Sequence, residues 1–336
     1  MVLFPKAAGE FIVKHAKYLK INNAGIDKLC RAILEGLMTK EISVDNFSQH
    51  EFHPKPSDPN CLNWMFLIDT LNFCFWTPGD ATKWKVQGQT GYFALCAAIN
   101  RAMKAGEDIT NPKFYGKLDV EGLERILKAD DGQTKAPLIE NRVKCLKEVS
   151  EKLLQKYNGN FENCIKQCEK SAQKLLQLIV EEFPCFRDEA VFEGERVGIY
   201  KRAQILIGDI WACFRGQGLG EFTDINTITM FADYRVPQVL VHFGALEYGD
   251  ELMDSLKCNE ILENGTAKEV EIRGASIYIV EELKERVLAQ IREQKLNIST
   301  QNVNSVLLDH FLWDYRRRHA DELEYIPFHK TYSVYY

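Results

Sequence analysis

The sequence predicts a mainly α-helical fold with a minor β hairpin, and three observations support this fold class. Apolar residues recur at three- and four-residue spacing through most of the 336-residue chain, which is the periodicity of helices with one buried face. Strand signals are limited to a candidate hairpin at 83–92 and a brief alternation at 270–272. No internal repeat, low-complexity tract or linker divides the chain. We therefore expect a single large helical domain over residues 1–336.

The same periodicity predicts the elements in chain order. The predicted helices span 9–20, 25–38, 92–105, 137–156, 161–182, 203–214, 235–247, 270–293 and 302–318. Asp119 has the position of an N-cap before a further helix. The stretch 49–60 contains three prolines and is predicted to be a loop. The first 45 residues are helical in character, and we expect this segment, 1–45, to pack on the rest of the domain.

The charge balance favours a small ligand over a nucleic-acid polymer. Lys and Arg number 42 against 48 Asp and Glu, which gives a net charge of −6. Proteins that bind the nucleic-acid backbone usually carry a basic surface, because neutralising phosphates supplies most of their affinity. We therefore expect no direct nucleic-acid partner.

The sequence predicts neither a secretory signal nor a membrane span. The opening apolar residues are followed at once by Pro5 and Lys6, and no small-residue cleavage site follows them. The most apolar window, 62–76, contains polar residues and is shorter than the ~20 residues that a bilayer-spanning helix needs. We expect a cytoplasmic monomer without a membrane partner.

The cysteines are predicted to be reduced core residues. There are 10 of them, mostly within apolar runs, which is typical of buried free thiols. Cys164 and Cys168 form the closest pair, but no His or further Cys lies near them in sequence, so a metal site would lack half its ligands. Core packing is the favoured interpretation, and we predict no metal and no other cofactor.

Carboxylates recur in segments that are apolar on nearly every face. An unpaired ionised carboxylate in such a core helix is costly, so each one must be paired, hydrogen-bonded or used for function. For Asp69 and Asp209 we favour a structural role. For Asp309 and Asp314 a structural role and a ligand-binding role are about equally supported, because their helix carries further polar and aromatic residues, as a pocket for a polar ligand requires. Those residues are Ser305, His310 and Trp313.

The segment 224–244 is predicted to form a short helix at 224–230, a tight hairpin, and a helix that closes at Gly244. Asp233 fits the N-cap of the second helix, which leaves Pro237 in the first turn, where no backbone N–H is needed. A helix-hairpin-helix can also aim a carboxylate or backbone amides at a sugar or a phosphate. The residues taken alone favour the cap.

A set of short runs distributed over the chain carries a family resemblance. The runs are Asn63-Trp64, Asp69-Thr70-Leu71-Asn72-Phe73, Phe75-Trp76, Gly91-Tyr92, Leu95-Cys96-Ala97-Ala98, Phe192-Glu193-Gly194, Tyr200-Lys201-Arg202-Ala203-Gln204-Ile205-Leu206, Ile228-Thr229-Met230-Phe231-Ala232-Asp233-Tyr234-Arg235, Glu269-Val270-Glu271-Ile272-Arg273-Gly274, Leu307-Leu308-Asp309, Leu312-Trp313-Asp314-Tyr315, Ile326-Pro327-Phe328-His329 and Tyr335-Tyr336. In this order, between about residue 45 and the last residue, they resemble the queuosine salvage family of queuosine 5′-phosphate N-glycosylase/hydrolases.

The resemblance implies a fold, an activity and a set of site residues. It implies a helical fold similar to the helix-hairpin-helix DNA glycosylases, with a nucleotide pocket where those enzymes hold a flipped base. The activity would be hydrolysis of the N-glycosidic bond of queuosine 5′-monophosphate, which releases queuine for salvage into tRNA. The implied site residues are Asp233 as the catalytic carboxylate, Phe231 as a stacking ring, and His53, Ser305, Asp309 and Asp314 as ligand contacts.

The chemistry of this cleavage suits those residue types. Breaking the C1′–N bond builds positive charge on the ribose, which a carboxylate such as Asp233 stabilises or attacks before it orients the water. Queuine is a 7-deazaguanine without an N7 to protonate, so hydrogen bonds to the base edge must help it leave. Asp309 or Asp314 is a candidate acceptor for the guanine-like N–H groups or the cyclopentenediol amine. Phe231 and Trp313 offer aromatic faces to the flat base.

The 5′-phosphate requires cationic or amide donors. Lys201 and Arg202, immediately before a core helix, are candidates, as are His329 and Lys330. The basic run 316–319 closes the helix that carries Asp309, and for this run we favour interaction with the helix C-terminus and solvent.

Two other functions stay open from the sequence. A helix-hairpin-helix nucleic-acid glycosylase or binding module would bind duplexes with steep salt dependence, and the acidic net charge weighs against it. A non-catalytic queuine carrier would keep its function after Asp233→Asn, whereas an enzyme would lose turnover. The predicted partner is the small-molecule nucleotide queuosine 5′-monophosphate.

Overall fold

The computed structural model describes residues 1–79 and 81–336, without the side chain of Asn302, and the fold is mainly helical, as predicted. The helices are α1 (Pro5–His15), α2 (Asn23–Met38), α3 (Asp45–Gln49), α4 (Cys61–Leu71), α5 (Gly91–Lys104), α6 (Pro112–Tyr115), α7 (Val120–Ile126), α8 (Ile139–Lys156), α9 (Glu162–Lys166), α10 (Ala172–Glu182), α11 (Lys201–Cys213), α12 (Val236–His242), α13 (Asp250–Lys257), α14 (Ala267–Glu293) and α15 (Ser305–Arg318). Single 3₁₀ turns lie at Pro184–Phe186, Gly218–Gly220, Ile225–Thr227 and Thr300–Asn302.

The β structure in the described part of the chain consists of short strands. They are β1 (Val2–Leu3), β2 (Leu19–Ile21), β3 (Lys85–Val86), β4 (Gln89–Thr90), β5 (Glu189–Phe192), β6 (Glu195–Gly198) and β7 (Leu246–Tyr248). Strand β6 lies between β1, to which it is parallel, and β5, to which it is antiparallel. Strands β2 and β7 form an antiparallel pair. Strands β3 and β4 form the hairpin predicted at 83–92.

The described residues group into two compact units, each assembled from separate chain segments. The first unit contains 1–44, 188–204 and 225–332, and the second contains 45–187, 205–224 and 333–336. The single domain over 1–336 and the likeness to helix-hairpin-helix glycosylases stay predictions.

Where predicted helix boundaries differ from the structure, a local backbone cause is visible. The helix predicted at 9–20 begins at Pro5, whose fixed φ suits a first helical position, and it ends before β2, which pairs with β7 instead. The helix predicted at 161–182 is divided into α9 and α10. Between them, Glu169 and Lys170 adopt φ values of 50° and 61°, a left-handed conformation that does not continue a helix.

The alternation at 270–272 is not a strand but the interior of α14. Val270, Glu271 and Ile272 are all buried, because this helix is covered on nearly every side. The Glu271 carboxylate accepts the backbone N–H groups of Lys17 and Tyr18 at 3.0 and 2.8 Å. The polar Glu271 between two apolar residues gave the alternation of a half-exposed strand, but it is buried and bonded to main-chain N–H groups.

The core of the first unit is built around α14, against which α1 packs closely. The close approach depends on two glycines, one in each helix: Gly9 in α1 and Gly274 in α14. A Cβ atom at Gly274 would lie 2.6–2.7 Å from three side-chain atoms of Ile12. Because Ile12 is β-branched and fully buried, it has little freedom to move aside.

We expect Gly274→Ala to lower the free energy of unfolding by about 1–2 kcal/mol. Overpacking a core costs about 1–3 kcal/mol, and the better helix propensity of Ala returns up to about 1 kcal/mol. Thermal or denaturant unfolding measures the change. The matched control is Ile12→Val added to Gly274→Ala, which removes one of the clashing atoms and should recover part of the loss. An unfolding temperature raised by Gly274→Ala would contradict the packing account.

The second unit contains a core helix, α4, whose C-terminal end is held by a buried arginine. Arg142, in α8, is 0% exposed and donates to the carbonyls of Leu71, Phe73 and Cys74. Carbonyls beyond the last helical turn have no partner within the helix. The guanidinium therefore supplies donors to the carbonyls of Phe73 and Cys74 and a second donor to the Leu71 carbonyl, which also accepts the Phe73 N–H at 3.0 Å.

The cysteines are free thiols, and all except Cys258 are buried. Cys164 and Cys168 pack in the core, where the Cys168 thiol donates to the Cys164 carbonyl at 3.2 Å. Burial raises the pKa of the Cys168 thiol to about 11. Within 1–79 and 81–336, no helix combines the length and the apolar composition needed to cross a bilayer.

Candidate active site

The centre of the candidate site is an irregular segment, 228–233, that precedes α12 in the first unit. Its main chain bonds to buried side chains from distant elements. The Phe231 N–H donates to Oδ1 of Asp309 at 2.9 Å. Nε of Arg273 donates to the Ala232 carbonyl at 3.0 Å. These bonds fix the main chain immediately before Asp233.

The helix predicted at 224–230 is wrong, because only Ile225–Thr227 forms a 3₁₀ turn. The Thr229 N–H donates to Oε1 of Gln204 at 2.9 Å, and the Gln204 amide donates back to the Thr229 hydroxyl at 2.9 Å. Main-chain groups that are satisfied by buried side chains do not need helical partners. Local helical periodicity was therefore overridden by tertiary hydrogen bonds.

Asp233 lies two residues before Arg235, the N-cap residue of α12, so its predicted N-cap position is wrong, but its side chain still binds N–H groups at the start of the helix. Its Oδ1 accepts the N–H groups of Arg235 and Val236, each at 2.8 Å, and Pro237 lies in the first turn. The helix ends at His242, and Gly244 has a φ of +72°, as expected at a helix C-terminus. Asp233 is 8% exposed, and no hydrogen bond from the residues that the structure describes engages its Oδ2. One oxygen therefore orients the side chain, and the other is available to a ligand.

Asp309, buried in α15, is the second carboxyl group of the site. Its pKa is raised well above the ordinary range, first by burial and then by the neighbouring charge of Asp233, whereas the Phe231 N–H and the Lys201 ammonium oppose the rise. Its bond to Phe231 gives Asp309 a structural role, but this bond uses only Oδ1.

Lys201, the first residue of α11, supplies the cation of the site. Its backbone N–H donates to Oδ2 of Asp188 at 3.1 Å. Burial lowers the pKa of its ammonium to about 8, although the charges of Asp233 and Asp309 act to raise it. Within the described part of the chain, no hydrogen bond or ion pair holds this ammonium group. The structure thus gathers Asp233, Asp309 and Lys201 around the Phe231 segment.

The remaining residues predicted on α15 have different environments. Ser305 is fully buried, and its hydroxyl donates to Oε1 of Glu281 at 2.5 Å. The Trp313 ring lies under the Arg317 guanidinium, 4.8 Å from its centroid. Asp314 is solvent-exposed. These three residues stay predicted ligand contacts, with Ser305 already engaged inside the protein.

The basic residues predicted to bind phosphate differ in burial. Arg202 is 1% exposed and His329 is 0% exposed. Burial, together with the charge of Arg273, lowers the pKa of His329 to about 3, so its imidazole is neutral at physiological pH. Lys330 is only partly buried, and its ammonium lies 5.4 Å from the centroid of the Phe328 ring.

The basic run at the end of α15 has structural partners. The buried Arg316 donates to the Gln238 amide oxygen at 2.8 Å. Arg318 forms an ion pair with Glu41. His319 lies 3.1 Å from the Glu322 carboxylate. These contacts agree with the favoured interpretation of the run as a helix end that interacts with its own unit and with solvent.

His53 belongs to the second unit, where an aromatic cluster surrounds it. Its Nδ1 lies 2.8 Å from the Phe47 carbonyl and its Nε2 lies 3.0 Å from the Tyr92 hydroxyl. The Phe47 ring stacks on the imidazole at a centroid distance of 4.0 Å. The role of His53 as a ligand contact stays a prediction.

Sequence reasoning missed Asp188 and Arg273, which lie next to the site residues. The runs that carry the family resemblance include Arg273 but not Asp188. Arg273 binds Asp188 through both carboxylate oxygens, at 2.9 and 2.6 Å. The sequence signal was Arg273 itself, because it lies in a stretch of α14 that is buried on nearly every side. A buried guanidinium requires acceptors.

Acidic residues outside this site form structural contacts and, in the described part of the chain, no metal-binding cluster. Asp69 accepts from the Asn72 amide at 3.2 Å, as expected for a structural carboxylate. Among residues 1–79 and 81–336, no three His, Cys, Asp or Glu side chains are grouped so that they would hold a metal ion.

The site combines groups that suit a reaction with a cationic transition state. Asp233 offers a carboxylate oxygen, and burial raises the pKa of the Asp309 carboxyl group above its ordinary value. The buried Phe231 ring offers an apolar face beside them, and Lys201 offers a donor for an anionic ligand.

Comparison with known proteins places these residues in a family context. The family described as queuosine salvage protein matches residues 52–336. The chain is 43% identical to the queuosine 5′-phosphate N-glycosylase/hydrolase of Bos taurus, covering 100% of this chain and 99% of the relative. It is 36% identical to the protein of that name from Schizosaccharomyces pombe, over 97% and 98% of the two chains. The protein of that name from Sphaerobacter thermophilus is 33% identical over 90% of each chain.

Proposed function

This chain belongs to the queuosine salvage protein family, and we propose that it is an N-glycosidase that hydrolyses queuosine 5′-monophosphate and releases queuine. Relatives named for this activity align with nearly the whole chain. The observation that carries the proposal is the gathering of Asp233, Asp309 and Lys201 around one buried segment. The reaction is hydrolytic, so water supplies the hydroxyl group of the ribose 5-phosphate product.

Asp233 is the residue that we propose acts on the ribose. Positive charge develops on C1′ and the ring oxygen as the C1′–N bond breaks, and a carboxylate held against that face stabilises it. The bonds of Oδ1 to the N–H groups of α12 fix the orientation of the carboxylate. Oδ2 is then the oxygen that faces the sugar and subsequently orients or deprotonates the water.

Asp309 and the aromatic residues are proposed to hold the base. The guanine-like edge of queuine offers two N–H donors in one plane, which suits a carboxylate whose partner within the protein occupies only Oδ1. Phe231 and Trp313 are proposed to stack on the flat ring. We also propose that Asp314 and His53 contact the ligand.

The phosphate is proposed to be bound by basic residues of the site. Lys201 and Arg202 are the residues predicted from the sequence, and the Lys201 ammonium has no partner within the described residues. Lys330 is a further donor, and next to it the Arg235 guanidinium lies 4.3 Å from the centroid of the same Phe328 ring. Burial lowers the pKa of the Lys330 ammonium, and the nearby charge of Arg235 lowers it further. An anion bound beside both cations would reduce this repulsion.

The finer properties of the protein are also proposals. We propose a cytoplasmic monomer with a single domain that resembles the helix-hairpin-helix glycosylases. Its partner would be the free nucleotide, since the net charge of −6 does not favour nucleic-acid binding.

The experiment that tests the function is chromatography of the products. The purified chain should convert queuosine 5′-monophosphate to queuine and ribose 5-phosphate, both before and after EDTA treatment, because no step needs a metal. Queuosine without the phosphate is the matched substrate and should be cleaved less efficiently if phosphate-binding cations contribute. Loss of activity on chelation would overturn metal-free hydrolysis, and absence of queuine would overturn the function.

The pKa of Lys201 predicts the alkaline limb of the pH profile. Because the ammonium is proposed to donate to the substrate, kcat/KM should fall as the pH rises through about 8 and Lys201 loses its proton. Lys201→Arg should move this loss to higher pH, since a guanidinium keeps its proton up to about pH 12. Initial rates from about pH 6 to about pH 10 measure the limb. A rate that instead rises through pH 8 in the wild type would mean that the neutral amine acts.

A further inference from the structure

We propose that Arg273 and Asp188 are positioning residues that hold Asp233 and Lys201 in the relative positions that hydrolysis requires. The inference rests on the proposed function, because it concerns the same site. It starts from the position of Arg273 in α14, where the side chain is 1% exposed.

The Arg273 guanidinium is bonded on two sides. Its Nε donates to the Ala232 carbonyl at 3.0 Å, and this carbonyl belongs to the peptide that links Ala232 to Asp233. Its two terminal nitrogens donate to the two oxygens of Asp188, at 2.9 and 2.6 Å. A further contact at 3.3 Å joins it to Glu269, one turn earlier in α14. The planar fork is thus fixed by acceptors from three parts of the chain.

Asp188 continues the connection to Lys201. Its Oδ2 accepts the Lys201 N–H at 3.1 Å, and its own carbonyl accepts the Ile199 N–H at 3.0 Å. One carboxylate therefore binds both the guanidinium that holds Ala232 and the backbone from which the Lys201 side chain projects. The path from the peptide of Asp233 to the amide of Lys201 runs through two side chains, Arg273 and Asp188.

Two physical arguments favour positioning over stability alone. A buried ion pair contributes little net stability, because desolvation offsets most of the attraction. Its value lies in geometry, since a guanidinium binds a carboxylate and a carbonyl in directions that a Lys ammonium does not reproduce. Catalysis is sensitive to this geometry, because a displacement of about 1 Å costs up to about a hundredfold in rate.

Arg273→Lys tests the proposal. The variant keeps the positive charge but loses the planar guanidinium and its several N–H donors, so we expect kcat per folded molecule to fall about 10- to 100-fold. The affinity for free queuine should change less than about threefold, because that ligand has no ribose for Asp233 to act on. Folded fraction comes from circular dichroism, kcat from queuine release, and affinity from calorimetry.

Asp188→Asn is the second variant. The amide is isosteric and retains an oxygen for the Lys201 N–H, but it loses the charge that holds Arg273. We expect a similar fall in kcat, and the double variant should be little worse than either single one, because both substitutions break one connection.

The matched control is Arg142→Lys, which removes a buried guanidinium fork that binds main-chain carbonyls in the second unit. It should lower the unfolding temperature with kcat per folded molecule within about twofold of the wild type. If Arg273→Lys and Asp188→Asn also lower stability alone, the proposal is overturned and the proposed function stands. If the wild type releases no queuine, the proposed function itself fails.

Discussion

Asp233→Asn is expected to fold normally and to lose a hundredfold or more of its rate of queuosine 5′-monophosphate hydrolysis. Removing a group that stabilises transition-state charge typically costs about 10²–10³ in kcat. Asn is a specific test of the charge, because its side-chain oxygen is able to accept the Arg235 and Val236 N–H groups as Oδ1 of Asp233 does. Asn and Asp are about equally good helix caps. The cap is therefore kept, and only the charge is lost.

The measurement is single-turnover release of queuine, normalised to the folded fraction. Asp119→Asn is the matched control, since Asp119 caps α7 by accepting the Gly122 N–H at 2.8 Å. It makes the same change at a cap that the proposed site does not include, and its rate should stay within about twofold of the wild type. An Asp233→Asn protein that is less stable but turns over at the full rate would reduce Asp233 to a helix cap. A carrier without catalysis would show no turnover in either protein.

Asp309→Ala is expected to weaken the binding of free queuine about tenfold or more and to slow hydrolysis. A hydrogen bond to a charged group contributes about 1.5–3 kcal/mol, and the proposed contact to the base edge has two of them. Asp233→Asn should leave queuine binding nearly unchanged, because queuine contains no ribose. Calorimetry of both variants with queuine separates recognition of the base from chemistry at the sugar.

The structure adds a necessary control for Asp309. Alanine leaves the Phe231 N–H without its acceptor, which costs about 1–3 kcal/mol and displaces the segment before Asp233. Asp309→Asn keeps an oxygen for that N–H while removing the negative charge. If Asn binds queuine as the wild type does and Ala does not, the role of Asp309 is to hold Phe231. Equal losses of binding in Asp309→Ala and Asp233→Asn would mean that the two roles are wrongly assigned.

The raised pKa of Asp309 implies that binding of the base is coupled to loss of the Asp309 proton. Burial and the Asp233 charge favour the protonated carboxyl group in the ligand-free site. A base edge with two N–H donors favours the ionised form, so binding of that edge would release the proton. The sequence indicated that this carboxylate was costly to bury, but the direction of its shift depends on which charges surround it in the fold.

Much of the secondary structure was predictable because its causes are local. The hairpin of β3 and β4 and the Asp119 cap all depend on residues a few positions apart. The same holds for the bonds from Asp233 to the start of α12 and for the end of that helix near Gly244. At 224–230 the error arose from a distant partner, because the Gln204 side chain accepts the Thr229 N–H. The division of the helix predicted at 161–182 follows instead from the left-handed backbone at Glu169 and Lys170.

The sequence by itself determined the helical class, the family resemblance and the residue types of the site, since periodicity, caps and runs of residues are read directly along the chain. Only the tertiary structure decided which carboxylates meet. Asp309 reaches Phe231 across 78 residues of sequence, and Arg273 reaches Asp188 across 85. Pairings of that separation leave no periodic signal in one sequence, because a side chain's partner depends on how whole elements pack. The fold therefore brought Asp233 at the start of a helix, a buried Asp309 and a Lys201 whose pKa is lowered by burial into one site.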